Sequence, residues 1–562
     1  MKYMEKRDRS QISFLPECVE DYIRDENPVR VIDAFVDSLD MEALGFQKAK
    51  PAQTGRPAYD PRDLLKLYLY GYLNRIRSSR MLMRECRRNI ELFYLLGGLK
   101  PDFRTIADFR KDNAQAIRNC FRAFGKLCVK LGLYNRELLA VDGTKIRAVN
   151  SKDNCYNQEV LEKKLAHIDE KMSAYLSALD EQDKADRGTE TDPEKIKAAI
   201  EQLRTRQEKY EGILQELRES GETQLLTTDP EARRMHSKDG FHCCYNVQTA
   251  VDSGSHLIAE YEVTNHNTDQ GLLQEVTALA KKQLEVETIS AVADKGYESR
   301  ADILECIYEG TAPTVALKYD KKERSYELPY EEAEITEEER VSTKRKDIEK
   351  CLKAGVLPKI YEGTGISVEV QTKGAISCFL RDEEGHVTCP MGHELRYSRK
   401  RGKCVIYKDK EYCRACRNKC THAEWKEVSF GPETDCVPVR MFGILTEAVQ
   451  EIPPDARISP SNHTLDTGHV PKKKVVLRIQ DDKEKLKQRM CLSEHPFGTV
   501  KWYRGAHNLL CKGKVKASVE LGLSFPACNM TRAVTMVGIK ALIEAMCEET
   551  SHFFDENRRK RQ

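Results

Sequence analysis

No apolar run in this sequence reaches the roughly 18 residues that a membrane-spanning helix requires. Residues 1–10 lack the apolar segment of a secretory signal. The expectation is a cytoplasmic protein with no membrane association. Charge of one sign is also missing. The 92 basic residues face 90 acidic ones, a net +2, so overall charge neither predicts nor excludes a nucleic-acid partner and only local clustering can. No tandem repeat is visible. What the chain has is length and charge. Its 562 residues exceed one ordinary core and imply about two to four domains. A content of 40% hydrophobic and 32% charged residues suits a globular protein with some long exposed helices. The 20 cysteines are scattered apart from one dense group. In a reducing compartment, scattered cysteines act as small buried apolar residues, and a cluster suggests metal.

Residues 1–125 read as a helical domain. Ile32, Phe35, Val36 and Leu39 recur at helical spacing, and Asp60-Pro61 starts a helix with Leu64, Leu65, Tyr68 and Leu69 on one side. Arg75, Arg77, Arg80, Arg84, Arg87 and Arg88 concentrate positive charge, and Arg104 and Arg110 follow. This pattern predicts a DNA-binding bundle of helix-turn-helix type; the competing reading is a solvated helix face. Residues 137–149 predict a strand, and 157–221 a helical hairpin or coiled coil inserted after it. Strand patterns return at Cys243–Val251 and Leu257–Val263 as a hairpin. A helix from Asp269 to about Leu284, a strand ending at Asp294, a helix from near Ser299 and a strand around 314–317 follow. The order describes a mixed α/β layer fold. The charged stretch 320–350 is expected outside the core, and Val475–Ile479 as a short strand or extended edge. Lys483 onward reads as helix, and so does Lys512–Met546 with an interruption at Gly522–Pro526.

Three acidic residues stand in distinctive settings. Asp142 ends the run Leu-Leu-Ala-Val, Asp294 ends Ile-Ser-Ala-Val-Ala, and Glu494 follows the late charged helix. In-line attack on a phosphodiester needs an activated hydroxyl and a stabilised leaving oxygen, and two Mg²⁺ (or Mn²⁺) ions serve both ends. Such ions want hard oxygen ligands, which carboxylates supply. Asp142 is placed as the bridging ligand, Asp294 as the ligand of one ion and Glu494 of the other. Gly143 allows DNA to approach the backbone closely. Against this stands the preference of turns for Asp at strand ends. Arg234 and Lys238, in the run before the hairpin, are candidate phosphate contacts.

In this order the motifs resemble the DDE transposases of bacterial insertion sequences. Gly55-Arg56-Pro57, Leu82–Arg88 and Phe103–Arg110 look like that family's helical N-terminal domain, and Val141–Lys145 like its first-aspartate motif. Tyr245–Gln248 with Asp252 looks like its hairpin, Ala293–Tyr297 like its second-aspartate motif, and Glu494–Lys501 like its glutamate helix. The resemblance implies a ribonuclease-H-like catalytic domain over 135–320 and 470–550, interrupted by the 157–221 hairpin and by a charged, cysteine-rich insertion over 321–469. It implies a transposase that binds terminal inverted repeats, cuts at the element's ends and joins the 3′ ends to target DNA, acting on double-stranded DNA as a homodimer. One branch carries a tyrosine–arginine–glutamate–lysine signature around the glutamate. Glu494 and Lys501 keep its spacing, Arg489 stands one residue off, and Leu486 lies near the tyrosine position. Lys501 and Arg489 are thereby implied as phosphate contacts. The alternatives are a non-catalytic DNA-binding protein derived from a transposase and a metal-dependent nuclease without strand transfer.

Cys413, Cys416 and Cys420 have short metal-ligand spacing, and Cys389 offers a fourth thiolate. Four thiolates around Zn²⁺ would make a closed structural site. Cys404, His393 and His422 are alternative ligands, and free thiols are the competing reading.

Overall fold

The computed structural model describes residues 18–51, 57–184, 193–237, 239–316, 323–373, 380–381, 386–389, 393–416, 424–430, 472–480 and 482–547. Two compact units result, one from residues 1–299 with 484–562 and the other from 300–483. Lys238, Cys420 and His422 lie outside the described residues.

The first unit begins with six helices: α1 (Val29–Ser38), α2 (Pro61–Leu73), α3 (Ser79–Glu85), α4 (Ile90–Leu96), α5 (Phe103–Asp112) and α6 (Ala114–Lys130). Local chemistry sets several ends. Asp60 caps α2 by accepting the Arg62 N–H at 2.8 Å, with Pro61 in the first turn. Asp102 caps α5 through the Arg104 and Thr105 N–H groups. Gly97 ends α4 in the left-handed region at φ 56°.

A mixed sheet follows. Strand β1 (Leu138–Arg147) leads to the short β2 (Cys155–Tyr156), then to helices α7 (Gln158–Lys184) and α8 (Pro193–Ser220), which pack on each other. Tyr156, Leu161, Ile213, Leu214 and Leu217 form the core at the base of that pair. After β3 (Leu225–Leu226), strands β4 (Arg233–Ser237), β5 (Gly240–Asp252) and β6 (Ile258–Thr264) return to the sheet, and α9 (Leu273–Leu284) leads to β7 (Ile289–Ala293). Strand β5 lies antiparallel to β1 on one side and to β4 and β6 on the other. Strand β7 lies parallel to β1 on its far side. The buried carboxylate of Asp252 locks the start of β1. It accepts the N–H groups of Asn135, Arg136, Gly254 and Ser255 at 2.9–3.2 Å.

The second unit holds α10 (Arg300–Tyr308), β8 (Thr311–Val315), β9 (Glu323–Pro329), α11 (Glu337–Val341), α12 (Arg345–Lys353) and β10 (Ile366–Lys373). Next come β11 (Leu380–Arg381), β12 (Val387–Thr388), β13 (Glu394–Arg401), β14 (Cys404–Lys408), α13 (Lys410–Ala415), β15 (Val428–Phe430) and β16 (Lys472–Gln480). Strands β11 to β15 form a five-stranded antiparallel meander. Two sequence expectations are narrowed here, the first to its strand alternative. Strand β16 is no edge, because it pairs with β10 on one side and β9 on the other. The 320–350 stretch lies in this second unit and is not wholly outside a core, because Leu328 of β9 and Ile348 of α12 are buried there while most of its alternating charges face solvent.

The chain re-enters the first unit through α14 (Lys483–Gly498), a π turn (Thr499–Tyr503) and α15 (Lys514–Val537). The interruption expected at Gly522–Pro526 does not occur, and α15 runs through both residues. Gly522 is where the helix presses on the sheet, since a Cβ there would lie 2.6 Å from the Tyr261 hydroxyl. The packing outweighs the one hydrogen bond Pro526 removes. Phe121, Ile146, Tyr245, Val247, Tyr261, Val500 and Phe525 belong to the buried cluster so formed.

Candidate active site

Two of the three predicted carboxylates come together on adjacent strands, Asp142 within β1, which runs on to Arg147, and Asp294 just past the end of β7. Ala140 of β1 pairs in parallel with Val292 of β7, so Asp142 and Asp294, each two residues farther along, reach the same level. Helix α14 lies against this point. Leu492 packs with Leu138, Ala140 and Val292, and Leu486 packs against the same cluster. Arg489 and Ser493, one helical turn apart on α14, share a face. Arg489 Nη1 donates to Asp142 Oδ2 at 3.5 Å, a long ion pair between side chains about one-fifth exposed.

Burial pushes the pKa of Asp142 above the usual carboxylate range, and the neighbouring Asp294 adds to the rise. The Ser493 hydroxyl, the Arg489 guanidinium and the Gly143 N–H oppose it without cancelling it. Ser493 Oγ is buried and makes no hydrogen bond of ordinary geometry, although it stands near enough to favour the anion. Asp294 caps the turn Lys295–Tyr297 by accepting the Gly296 N–H at 2.7 Å. Glu494 follows Ser493 and is exposed. Among the described residues, no trio of His, Cys, Asp or Glu side chains is already arranged around an ion-sized point. In chemical kind the donors fit divalent cations, being hard carboxylate oxygens with a half-buried, under-compensated charge at Asp142.

A fourth acidic residue stands beside them, which sequence reasoning read only as a helix start. Asp269 lies four residues before α9. Its Oδ1 accepts from Asn246 Nδ2 at 2.7 Å, Gln248 Nε2 at 2.8 Å and Lys145 Nζ at 3.3 Å. A Cβ on Gly143 would lie 2.6 Å from that oxygen, and one on Gly296 would lie 2.8 Å from Asp294 Oδ1 and 3.5 Å from Asp269 Oδ2. A side chain at Gly143 in β1 or at Gly296 in the following turn would push these carboxylates out of their present positions. The buried Tyr297 hydroxyl donates to Gln248 Oε1. Its pKa is driven well up, first by burial and then by Asp269, Asp142 and Asp294, with Arg489 opposing. One tyrosine thus senses all three aspartates.

The predicted cations divide. Lys501, in the π turn after α14, donates to the Lys145 carbonyl at 2.9 Å. Arg234 is exposed on β4 over the half-exposed ring of Phe241. Arg104 is exposed on α5. Arg110 turns inward, to the Tyr72 hydroxyl, Cys511 Sγ at 3.0 Å and the Tyr68 ring. The π turn also exposes Trp502 and Tyr503, at 72% and 59%, with the Arg75 guanidinium over the Tyr503 ring.

In the second unit, Cys413 lies on α13 and Cys416 at its C-terminal end, while the Cys389 N–H donates to the His393 carbonyl at 2.8 Å. Tyr412 stacks on His393 with ring centroids 3.5 Å apart. Burial raises the Tyr412 pKa, and Cys389, Cys416 and Cys413 are close enough to add to it. No completed zinc-binding group appears among the described residues.

Comparison with known families places both regions. Residues 17–112 match the family described as Transposase domain (DUF772), and residues 134–530 match the Transposase DDE domain. No curated protein and no solved structure matches the chain at a significant level.

Proposed function

Since this chain belongs to the DDE transposases, we propose that it binds the terminal inverted repeats of an insertion sequence, cleaves phosphodiesters there and joins the 3′ ends to target DNA. The observation that carries the reading is the register of β1 and β7, which brings Asp142 and Asp294 level under Arg489 and Ser493 of α14. The sheet supports a ribonuclease-H-like fold: an antiparallel run of β6, β5 and β1 continues into a parallel β7.

Asp142 and Asp294 would hold divalent cations, Mg²⁺ or Mn²⁺, with Glu494 completing the set. Such ions supply an activated hydroxyl and stabilisation of the leaving oxygen. The chain's own groups do the rest. Arg489 pairs loosely with Asp142 and would present its charge to a phosphate bound beside that carboxylate. Lys501, held to the Lys145 carbonyl, presents an ammonium beside the same strand. Arg234 and Arg104 are exposed phosphate contacts that position without reading bases. Two element ends must meet, so the working form on DNA is a homodimer. Structural zinc at Cys389, Cys413, Cys416 and Cys420 rests on spacing alone.

A gel assay with duplex from the DNA flanking the coding region, with Mg²⁺, tests the proposal. Wild type should bind, cut at the repeat end and form joined product. Asp142→Asn, Asp294→Asn and Glu494→Gln should bind but cut at least about 10²-fold more slowly. Binding without cutting by wild type would support a non-catalytic descendant, and cutting without joining a simple nuclease. Normal cutting by Asp142→Asn would remove the assigned site.

A further inference from the structure

Asp269 has no part in the chemistry assigned to Asp142, Asp294 and Glu494, yet its bonds converge on the backbone that carries the first two. In the β1–β5 register Gly143 faces Gln248 and Lys145 faces Asn246. These four residues share one face of the sheet, and Asp142 lies on the other, toward α14. Asp269 closes that face. One carboxylate oxygen receives all three side-chain donors, two amides and an ammonium. The other oxygen lies toward Gly296, whose N–H donates to Asp294. The amides alone would be satisfied by a neutral acceptor. The charge is needed for Lys145, whose side chain is only 16% exposed. Lys145 in turn presents its carbonyl to Lys501 Nζ. A continuous line therefore runs from Asp269 through Lys145 to Lys501, beside the strand of Asp142. The Tyr297–Gln248–Asp269 chain ties the turn of Asp294 to the same point.

We propose that Asp269 is a positioning residue for phosphodiester cleavage. It fixes the Lys145 ammonium and the Asn246 and Gln248 amides, and so sets the two cations of β1 and the π turn relative to Asp142 and Asp294. This rests on the transposase reading above. Misplacement of reacting groups by about 1 Å is enough to cost about 10²-fold in rate, which is the scale of effect expected when the anchor is lost. A residue of this kind changes the chemical step and leaves DNA affinity alone, because it touches no phosphate itself.

The experiment measures single-turnover cleavage of terminal-repeat duplex by the full chain with Mg²⁺, beside duplex affinity and Tm. Asp269→Asn should cut about 10²-fold more slowly at saturating DNA, with affinity within about twofold of wild type. Asp269→Glu should recover part of the rate. Lys145→Met should cut slowly as well, and the double variant Asp269→Asn/Lys145→Met should be no slower than the worse single, because one interaction is lost in both. If Asp269→Asn fails to fold, Lys145→Met, which spares the amide bonds, carries the same expectation. Wild-type cutting by Asp269→Asn, a rate loss matched by lost affinity, or fully additive singles would each overturn the inference. In those cases wild type still cuts and the transposase reading stands. A wild type that cuts no candidate end removes both.

Discussion

At the scale of single residues, the electrostatics of Asp142 are set by burial more than by its partner. The carboxyl titrates above its ordinary range because desolvation outweighs Ser493, Arg489 and the Gly143 N–H. For an acid whose folded pKa is raised, the native state holds its proton more tightly than the unfolded state does. Stability is then greatest at low pH and falls as pH climbs above about 4, the unfolded carboxylate value. Without metal, Asp142→Asn should therefore be more stable than wild type at pH 7, and the difference should close as pH drops toward 4. Denaturant midpoints at the two pH values check this; a destabilised Asp142→Asn at pH 7 would show that the long Arg489 pair dominates instead. The same variant should lose cleavage, so the site trades stability for charge. Gly143 gives a second prediction. A methyl there would meet Asp269 Oδ1 at 2.6 Å and the Gln248 amide, in a network with no slack. Gly143→Ala should cost about 1–3 kcal/mol by overpacking, read as a lower denaturant midpoint, and should slow cleavage with it.

At the scale of elements, Gly522 separates helix propensity from packing. On an exposed helix, Gly→Ala gains about 1 kcal/mol. Here the added carbon would stand 2.6 Å from the Tyr261 hydroxyl and 3.5 Å from Ile117, so α15 would have to lift off β6 and α6. Gly522→Ala should instead destabilise by about 1–3 kcal/mol, and a raised Tm would contradict the close approach. The same glycine shows where sequence reasoning stops. Gly522 and Pro526 read as a break because propensity is local, and the packing that overrides it is not. Strand β1 was legible, expected over 137–149 and found at Leu138–Arg147, because its apolar run and the alternation around Ile146 are local signals. The β5–β6 hairpin was legible for the same reason, with the turn residues of 252–255 between its strands. Strand β16 was under-read, since nothing in five residues with four apolar side chains says whether one neighbour or two will pair with them. The setting of Asp294 at a strand end could be read, and so could Asp142 on the first strand, though it lies mid-strand and not at an end; Asp269 could not. It lies in a polar loop with no periodicity, and its role comes from Lys145, Asn246 and Gln248, which are distant in sequence.

At the scale of the whole molecule, the two matched families divide the sequence near residue 112–134, yet the first folded unit joins the whole of the first region to residues 134–299 and 484–530 of the second. The joint is polar and buried. Arg77, within the arginine-rich segment that suggested DNA contact, donates to Glu520 of α15 at 2.7 Å and to the Asn508 and Gly505 carbonyls, with the two side chains 9% and 1% exposed. Glu520 also accepts the Leu510 N–H at 2.9 Å. Arg504 reaches back from the other direction to the carbonyls of Tyr72 and Leu73, closing α2. Arg77, between α2 and α3, is thus a structural residue, and an arginine-rich segment is no proof of a DNA face. The two kinds of arginine should separate in one experiment. Arg77→Met strands the Glu520 carboxylate in the core and should cost about 3–5 kcal/mol. Adding Glu520→Met should restore most of that, because a well-packed apolar pair replaces a buried ion pair at little net cost. Neither change should alter the dependence of DNA affinity on salt. Arg104→Ala, on an exposed stretch of α5, should leave the denaturant midpoint unchanged and reduce the slope of log affinity against log salt by about one. If Arg77→Met instead lowers the salt slope and spares stability, the arginine segment is the DNA-binding surface, and the joint between helices and sheet is not held as described.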